Sequence, residues 1–184
     1  MTIGAAMAAG GGAPPAQLRP DGDTYRRAMG LMPTGVTVIT CGSGDRTEAL
    51  TASSVTSVSL DPLLLLISIG AHGRMRRRID ELGAFTVNVL ASGQEDLSAV
   101  FAAHDRPGGP AAQQILGTRV GRTGNVLVSG ALLSVDCRVE HRYPGGDHVI
   151  VLGRVEALHT RGDPAAPLVY HRGGYATLAQ EVAA

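Results

Sequence analysis

The sequence predicts a mainly β domain: a small antiparallel barrel with two or three short helices added. Three observations carry this. β-Branched, apolar segments of strand length recur along the chain, separated by turns rich in Gly, Pro and Asp. Two long strand candidates, 131–143 and 147–159, flank Pro144-Gly145-Gly146, a hairpin signal. No strand–helix–strand rhythm appears, which argues against a doubly wound parallel sheet, and there is no internal repeat.

The elements follow in order. Asp23 or Thr24 can cap a short helix over 25–31, which Pro33 stops. Residues 35–40 form a β-branched strand, Gly42-Ser43-Gly44-Asp45 a turn, and 48–54 a second strand, so the pair reads as a hairpin. The apolar run 63–69 reads as a strand buried on both sides. A helix over 75–82 ends at Gly83, and 85–90 is the next strand. Residues 94–102 place Leu97, Val100 and Phe101 at helical spacing, to pack on the barrel wall. The segment 104–124, rich in Gly, Pro and polar residues, reads as a mobile excursion. Leu168-Val169-Tyr170 and the tail after Gly174 close the domain.

Bulk properties narrow the function. A chain of 184 residues fits one domain with a real core. Residues 1–22 read as a disordered arm, since they lack both the basic start and the Leu-rich segment of an export signal; 23–180 read as the domain. Formal charge is zero, the only basic run is 74–78, and aromatics are 3% of the chain, so nothing points to nucleic acid. No apolar run reaches the roughly 18 residues needed to cross a bilayer. Cys41 and Cys137 stand far apart without a CxxC partner, which reads as two separate core thiols in a reducing cytosol. A cytoplasmic protein without membrane contact is expected.

Three places can carry chemistry. Residues 51–59 hold six hydroxyls (Thr51, Ser53, Ser54, Thr56, Ser57, Ser59) just before a buried strand. A water-facing edge strand is the plain explanation. A cradle for a flat, polar-edged ligand is the functional one, with Thr51, Ser53 and Ser54 reaching ring edges and Ser57 and Ser59 on the following bend. Next, Ser68-Ile69-Gly70-Ala71-His72-Gly73-Arg74-Met75 joins a strand to a helix. Free helix-start N–H groups, two glycines and Arg74 suit a phosphate, whereas Arg76-Arg77-Arg78 reads as a largely solvated face. Finally, His148 at a strand start beside two glycines can face a cleft and bond a carboxamide, or Asp147 and His148 can simply cap the turn. His104, His141, His159 and His171 show no spacing with carboxylates that makes a metal site, so no metal is expected. Ser53 and Ser54 lack a G-x-S-x-G setting, against a serine hydrolase.

Five segments occur together in one family order. The run 25–40, YRRAMGLMPTGVTVIT, resembles the opening of the short-chain flavin reductases, and TASSVTSVSLDP (51–62) resembles their flavin segment. FTVNVL (85–90) with Gln94 and Phe101-Ala102 resembles their middle. GDHVIVLGRV (146–155) is similar to their GDH-strand-G-x-V signature, and PLVY (167–170) with Gly173-Gly174-Tyr175 to their closing segment. The likeness spans about 24–178. It is nearest to the reductase components of two-component flavin-dependent monooxygenases of the actinobacterial antibiotic and enediyne-pathway type. Two departures stand out: Ala49-Leu50 where the family has Gly-Met or Gly-Leu, and Leu63 after Asp61-Pro62 where it has a second proline.

The resemblance implies an FMN-binding split barrel of antiparallel Greek-key type, working as a homodimer. It implies reduction of FAD or FMN by NADH, with NADPH also open, through direct hydride transfer from nicotinamide C4 to flavin N5. Reduced flavin then diffuses to a partner monooxygenase, in secondary-metabolite biosynthesis. By the same resemblance Thr34 and Gly35 lie near the ring system, and Thr51, Ala52, Ser53 and Ser54 contact isoalloxazine and ribityl chain. Ser57, Val58 and Ser59 continue that wall, and Ser68, Gly70, Arg74 and Met75 surround the phosphate end. His148 positions the nicotinamide and Tyr175 helps close its pocket. The alternatives are a non-catalytic flavin- or haem-binding barrel protein, a pyridoxamine-phosphate oxidase, which needs more cationic side chains around a second phosphate, and a plain structural barrel.

Overall fold

The computed structural model describes residues 20–163 and 165–178. Most of the expected arm therefore lies outside the described residues, but its last residue already belongs to the first helix, α1 (Gly22–Met29). The cap is Asp21, not Asp23 or Thr24. Its extended backbone turns the carboxylate onto the Thr24 N–H at 2.8 Å, while Asp23 and Thr24 are already inside the helix.

The strands are β1 (Thr34–Gly35), β2 (Thr37–Cys41), β3 (Glu48–Ala52), β4 (Val55–Leu60), β5 (Leu63–Gly70), β6 (Ala84–Val89), β7 (Leu133–Gly145), β8 (His148–Thr160), β9 (Val169–His171) and β10 (Gly174–Ala176). Three further helices intervene: α2 (Arg74–Leu82), α3 (Glu95–Ala102) and α4 (Gly109–Leu116). The seven-stranded sheet runs β3-β2-β6-β7-β8-β5-β4, all antiparallel, and a three-stranded sheet runs β1-β9-β10. No ladder joins the edge strands β3 and β4, yet only Ser53 and Ser54 separate them along the chain. The fold is thus mainly β, with its two sheet edges tethered by a two-residue link.

The predicted hairpins form. β2 pairs β3 with Thr37 opposite Ala52 and Cys41 opposite Glu48. β7 and β8 pair down to Gly145 opposite His148, so the turn is Gly146-Asp147. Gly146 takes φ +75°, which this tight connection requires, and Pro144 sits in the strand rather than the turn. Gly83 closes α2 with φ +64°, its N–H bonding the Ile79 carbonyl.

Several expectations need correction. Ser57 and Ser59 lie in the largely exposed edge strand β4 rather than on a bend, and four α-helices form among the described residues rather than two or three. The run 63–69 is not buried on both faces. Ile67 and Ile69 are buried, but Leu63 is 47% exposed, because the outer end of β5 lies beside the edge strand β4 with one face uncovered. The segment 104–124 is not a loose excursion. It contains α4, whose Ala112 and Leu116 are spaced one helical turn apart and fill a second core with Val36, Val38, Leu90, Phe101, Val126 and Leu168. The polar letters of that segment hid a short amphipathic helix.

The first core lies between α2 and the main sheet, around Ile39, Met75, Ile79, Phe85, Val87 and Val151. Each fully buried side chain of this size contributes roughly 1.5–3 kcal/mol. Gly153 sits against this core: a Cβ there would lie 2.6 Å from Phe85 Cζ. The small sheet is held to the large one by a backbone ring in which Val36 N–H donates to Leu168, Leu168 to Leu90 and Leu90 to Val36, each at 3.0 Å. That ring carries the tyrosines of β9 and β10 to the mouth of the site.

Candidate functional site

A cavity of about 490 Å³ opens around the Ser53-Ser54 link, between the end of β3, the end of β5 and helix α3. Its floor comes from the end of β3 (Leu50, Thr51, Ala52) and the link Ser53-Ser54. One wall is Ser68, Ile69 and Gly70 at the end of β5, and His148 stands beside them. Ser98 and Ala102, one turn apart on α3, form the opposite wall, and Tyr170 and Tyr175 form a lip. The tyrosine rings meet edge to face, centroids 5.6 Å apart.

Two of the floor hydroxyls already donate within the protein. Thr51 Oγ1 donates to the Ser98 carbonyl at 2.7 Å and Ser54 Oγ to the Ser68 carbonyl at 2.7 Å. These lock β3 to α3 and the link to β5, leaving lone pairs as the remaining capacity of those two groups. Tyr175 donates its phenol to Ser98 Oγ at 2.9 Å, which fixes the lip to the same helix. By contrast, the backbone N–H groups of Ser53 and Ser54 have no acceptor among the described residues. The link is outside both ladders, so these N–H groups take no part in sheet pairing.

The Gly146-Asp147 turn sets His148. The Asp147 carbonyl accepts from Ala71 N–H at 3.0 Å, and Asp147 Oδ1 lies 2.8 Å from His148 Nδ1. That contact and the neighbouring imidazole charge hold the Asp147 carboxyl below its usual range. An Nδ1–H donated to Asp147 leaves Nε2 as the ring's free atom. In β5, Gly70 is the register partner of His148, with nothing within 4 Å of where its Cβ would stand. The cavity therefore has room beside the imidazole.

A second cavity of about 360 Å³ shares Leu50, Ile69 and Gly70 with the first. It is lined also by His72, Gly73, Arg74 and Met75 at the start of α2, by Arg77, and by His104 and Arg106. Arg74 faces this cavity while its Nη2 donates to the Arg106 carbonyl at 2.7 Å. Met75 is chiefly a core residue, 1% exposed.

Of the residues singled out above, Thr51, Ala52, Ser53, Ser54, Ser68, Gly70, His148 and Tyr175 come together in the first cavity. Arg74 and Met75 line the second. Thr34 and Gly35 line neither; they pair with Tyr170 and Val169 and so support the lip from behind. Ser57, Val58 and Ser59 also line neither, since β4 leads away from the link and carries a bulge between Ser57 and Ser59. Sequence reasoning missed Val36, Leu50, Ile69, Ser98, Ala102 and Tyr170 in the first cavity, and His72, His104 and Arg106 in the second. Ser98 and Ala102 carried one legible signal, two small residues on the same helix face. Among the described residues, no cluster of His, Cys, Asp or Glu is placed to hold a metal.

This chain resembles proteins of known activity. It is 59% identical to the NADH-dependent FMN reductase AsuE2 of Streptomyces nodosus subsp. asukaensis, over 84% of this chain and 83% of the relative. It is 34% identical to the reductase component of 4-hydroxyphenylacetate 3-monooxygenase of Thermus thermophilus, over 85% and 96%. The solved structure of the NADH:FAD oxidoreductase SgcE6 of Streptomyces globisporus C-1027 superposes with a TM-score of 0.82 at 36% identity, over 91% of this chain and all of that one. The model of the flavin reductase like domain matches residues 29–179, nearly all the described chain, and the protein belongs to that family.

Proposed function

We propose that this protein is an NADH-dependent flavin reductase that reduces FMN or FAD and releases it for a separate flavin-dependent monooxygenase, in secondary-metabolite biosynthesis. The observation that carries the reading is the first cavity: a roomy, mainly apolar cleft with backbone donors outside sheet pairing on its floor and an imidazole and two tyrosines at its mouth. Its volume lies within the roughly 300–1,000 Å³ of small-molecule sites. When both are bound, a dihydronicotinamide supplies a hydride that the flavin ring accepts, so the chain needs no nucleophile of its own.

The residues fit that task. The Ser53 and Ser54 N–H groups, which pair with no backbone acceptor, would serve the polar edge of a flat ring as hydrogen-bond donors. Thr51 and Ala52 continue the floor, and the absent side chain at Gly70 lets the ring approach β5. Ser68 and Gly70 lead to the second cavity, where the start of α2 and Arg74 suit a phosphate. His148, oriented by Asp147, would offer Nε2 to the nicotinamide carboxamide or ribose, and Tyr170 and Tyr175 would border the nicotinamide at the mouth of the cavity. Thr34 and Gly35 act through the lip. Ser57, Val58 and Ser59 are left outside the site of their own protomer.

The architecture we infer is a split barrel. A flat sheet of seven strands would set its edges about 29 Å apart at normal strand spacing. Ala52 and Val55 are three residues apart, at most about 11 Å, so the sheet has to curl. A homodimer is proposed on the β4–β5 hairpin, where Val58, Leu60 and Leu63 are exposed together, Leu60 at 84%. Two separate buried thiols support a reducing, cytoplasmic setting. The relatives named above are reductases, and none supports a non-catalytic flavin- or haem-binding role.

Anaerobic mixing with NADH and either FMN or FAD, followed at the flavin absorbance band, tests the reading. Bleaching with multiple turnovers is expected. Persistence of the oxidised band with both flavins would overturn it.

A further inference from the structure

Glu48 is 5% exposed at the start of β3 and lines neither cavity. Its Oε1 lies 3.2 Å from Arg106 Nη2 and 3.5 Å from Arg74 Nε. Arg106 also donates Nε to the Ala49 carbonyl at 2.8 Å, and its own carbonyl accepts from Arg74 Nη2 at 2.7 Å. The two arginines are thus cross-tied by one carboxylate and one carbonyl, and both line the second cavity. Gly108 continues the packing behind them: a Cβ there would stand 3.6 Å from Glu48 Oε2 and 3.9 Å from Arg74 Nη1. The Gly109 N–H then bonds the Thr47 carbonyl at 2.7 Å, seating the whole loop on β3.

A carboxylate this deep is costly to desolvate, several kcal/mol before pairing, and an apolar side chain would fill the space without that cost. What the acid supplies is geometry. A lone surface arginine loses side-chain entropy when it grips an anion. Arg74 and Arg106 are already immobilised, so that loss is taken on folding rather than on binding. Three arginines, Arg74, Arg77 and Arg106, against one carboxylate leave the compartment net positive.

We propose that Glu48 is a positioning residue: with Arg106, it holds Arg74 in place for the phosphate of the bound flavin. This rests on the flavin-reductase reading above, and it adds two residues that take no part in the ring chemistry.

The test compares FMN with riboflavin, which has the same ring and no phosphate, by fluorescence-quenching titration of the full chain. Wild type should bind FMN more tightly than riboflavin. Glu48→Gln should weaken FMN about tenfold, the scale of one charge-assisted contact, and leave riboflavin within about twofold. Arg106→Lys keeps the charge but cannot serve Glu48 and Ala49 together; it should weaken FMN selectively as well, and it stands in if Glu48→Gln does not fold. Equal losses for both ligands would mean a merely structural role and overturn the proposal. Unchanged or tighter FMN binding by Glu48→Gln would overturn it too, making the carboxylate only a charge sink. Wild type that binds both flavins equally would overturn the phosphate compartment while leaving the ring site standing. Wild type that binds neither would overturn the functional reading itself.

Discussion

His148 stands directly across the β5–β8 ladder from Gly70, and the free space over the glycine is the space the imidazole borders. One register pair therefore sets both the room for a ligand and the group beside it. Gly70→Val should fill that room. The strand tolerates a β-branched residue and nothing lies within 4 Å of the new Cβ, so thermal stability should hold. Flavin binding should fall by at least about tenfold, a loss on the scale of a displaced contact surface. Unchanged quenching titrations would mean the ring does not approach β5.

His148→Ala removes the imidazole but not the floor of the cavity. The KM for NADH should rise, or flavin reduction slow, by roughly tenfold or more, as for a lost positioning contact. Flavin affinity should stay within about twofold of wild type. Identical steady-state kinetics would end the assigned role.

Gly153→Ala should destabilise the domain by about 1–3 kcal/mol, because its Cβ would meet Phe85 Cζ at 2.6 Å and Cys137 Cβ at 2.8 Å in a packed core. Urea denaturation reads this directly. An unchanged midpoint would show that the Phe85 ring moves aside freely.

Burial pushes the thiols of Cys41 and Cys137 up to about 12 from an ordinary value of 9.0. The unfolded chain then releases these protons first as pH rises. Stability should fall between pH 9 and 12, by up to about 1.4 kcal/mol per pH unit for each thiol, and be unaffected by them below that window. Stability curves of wild type and Cys41→Ala across alkaline pH check the sign: the variant should decline less steeply. Native protein should also resist thiol alkylation near neutral pH.

Leu60→Arg places a charge on the most exposed leucine of the β4–β5 hairpin. If that face joins two copies, sedimentation should shift from dimer to monomer at equal concentration, with the fold intact by circular dichroism. A persistent dimer would move the interface elsewhere.

Much of this was legible in the chain. The β-branched runs and the Gly83 cap are local signals, and they formed where the pattern put them; the β7–β8 turn formed two residues later, at Gly146-Asp147, and the second strand stopped at Ala52, leaving Ser53 and Ser54 as a link. Ser57, Val58 and Ser59 looked equally suited to the site, but a bulge in β4 carries them away from it. Arg106 lay in a stretch that read as loop, and it pairs with Glu48 across 58 positions of sequence.

The sequence by itself determined most of the strands, the β2–β3 and β7–β8 hairpins, and which residue types could hold a flat ring and a phosphate, but not the edge strand β4 or helix α4. Those properties depend on backbone preference and side-chain alternation within a few residues. Only the tertiary structure decided that Ser53 and Ser54 bridge the two sheet edges, that Gly70 faces His148, and that a buried acid ties Arg74 to Arg106. Those are matters of ladder register and chain return, in which a shift of one residue turns every side chain to the other face.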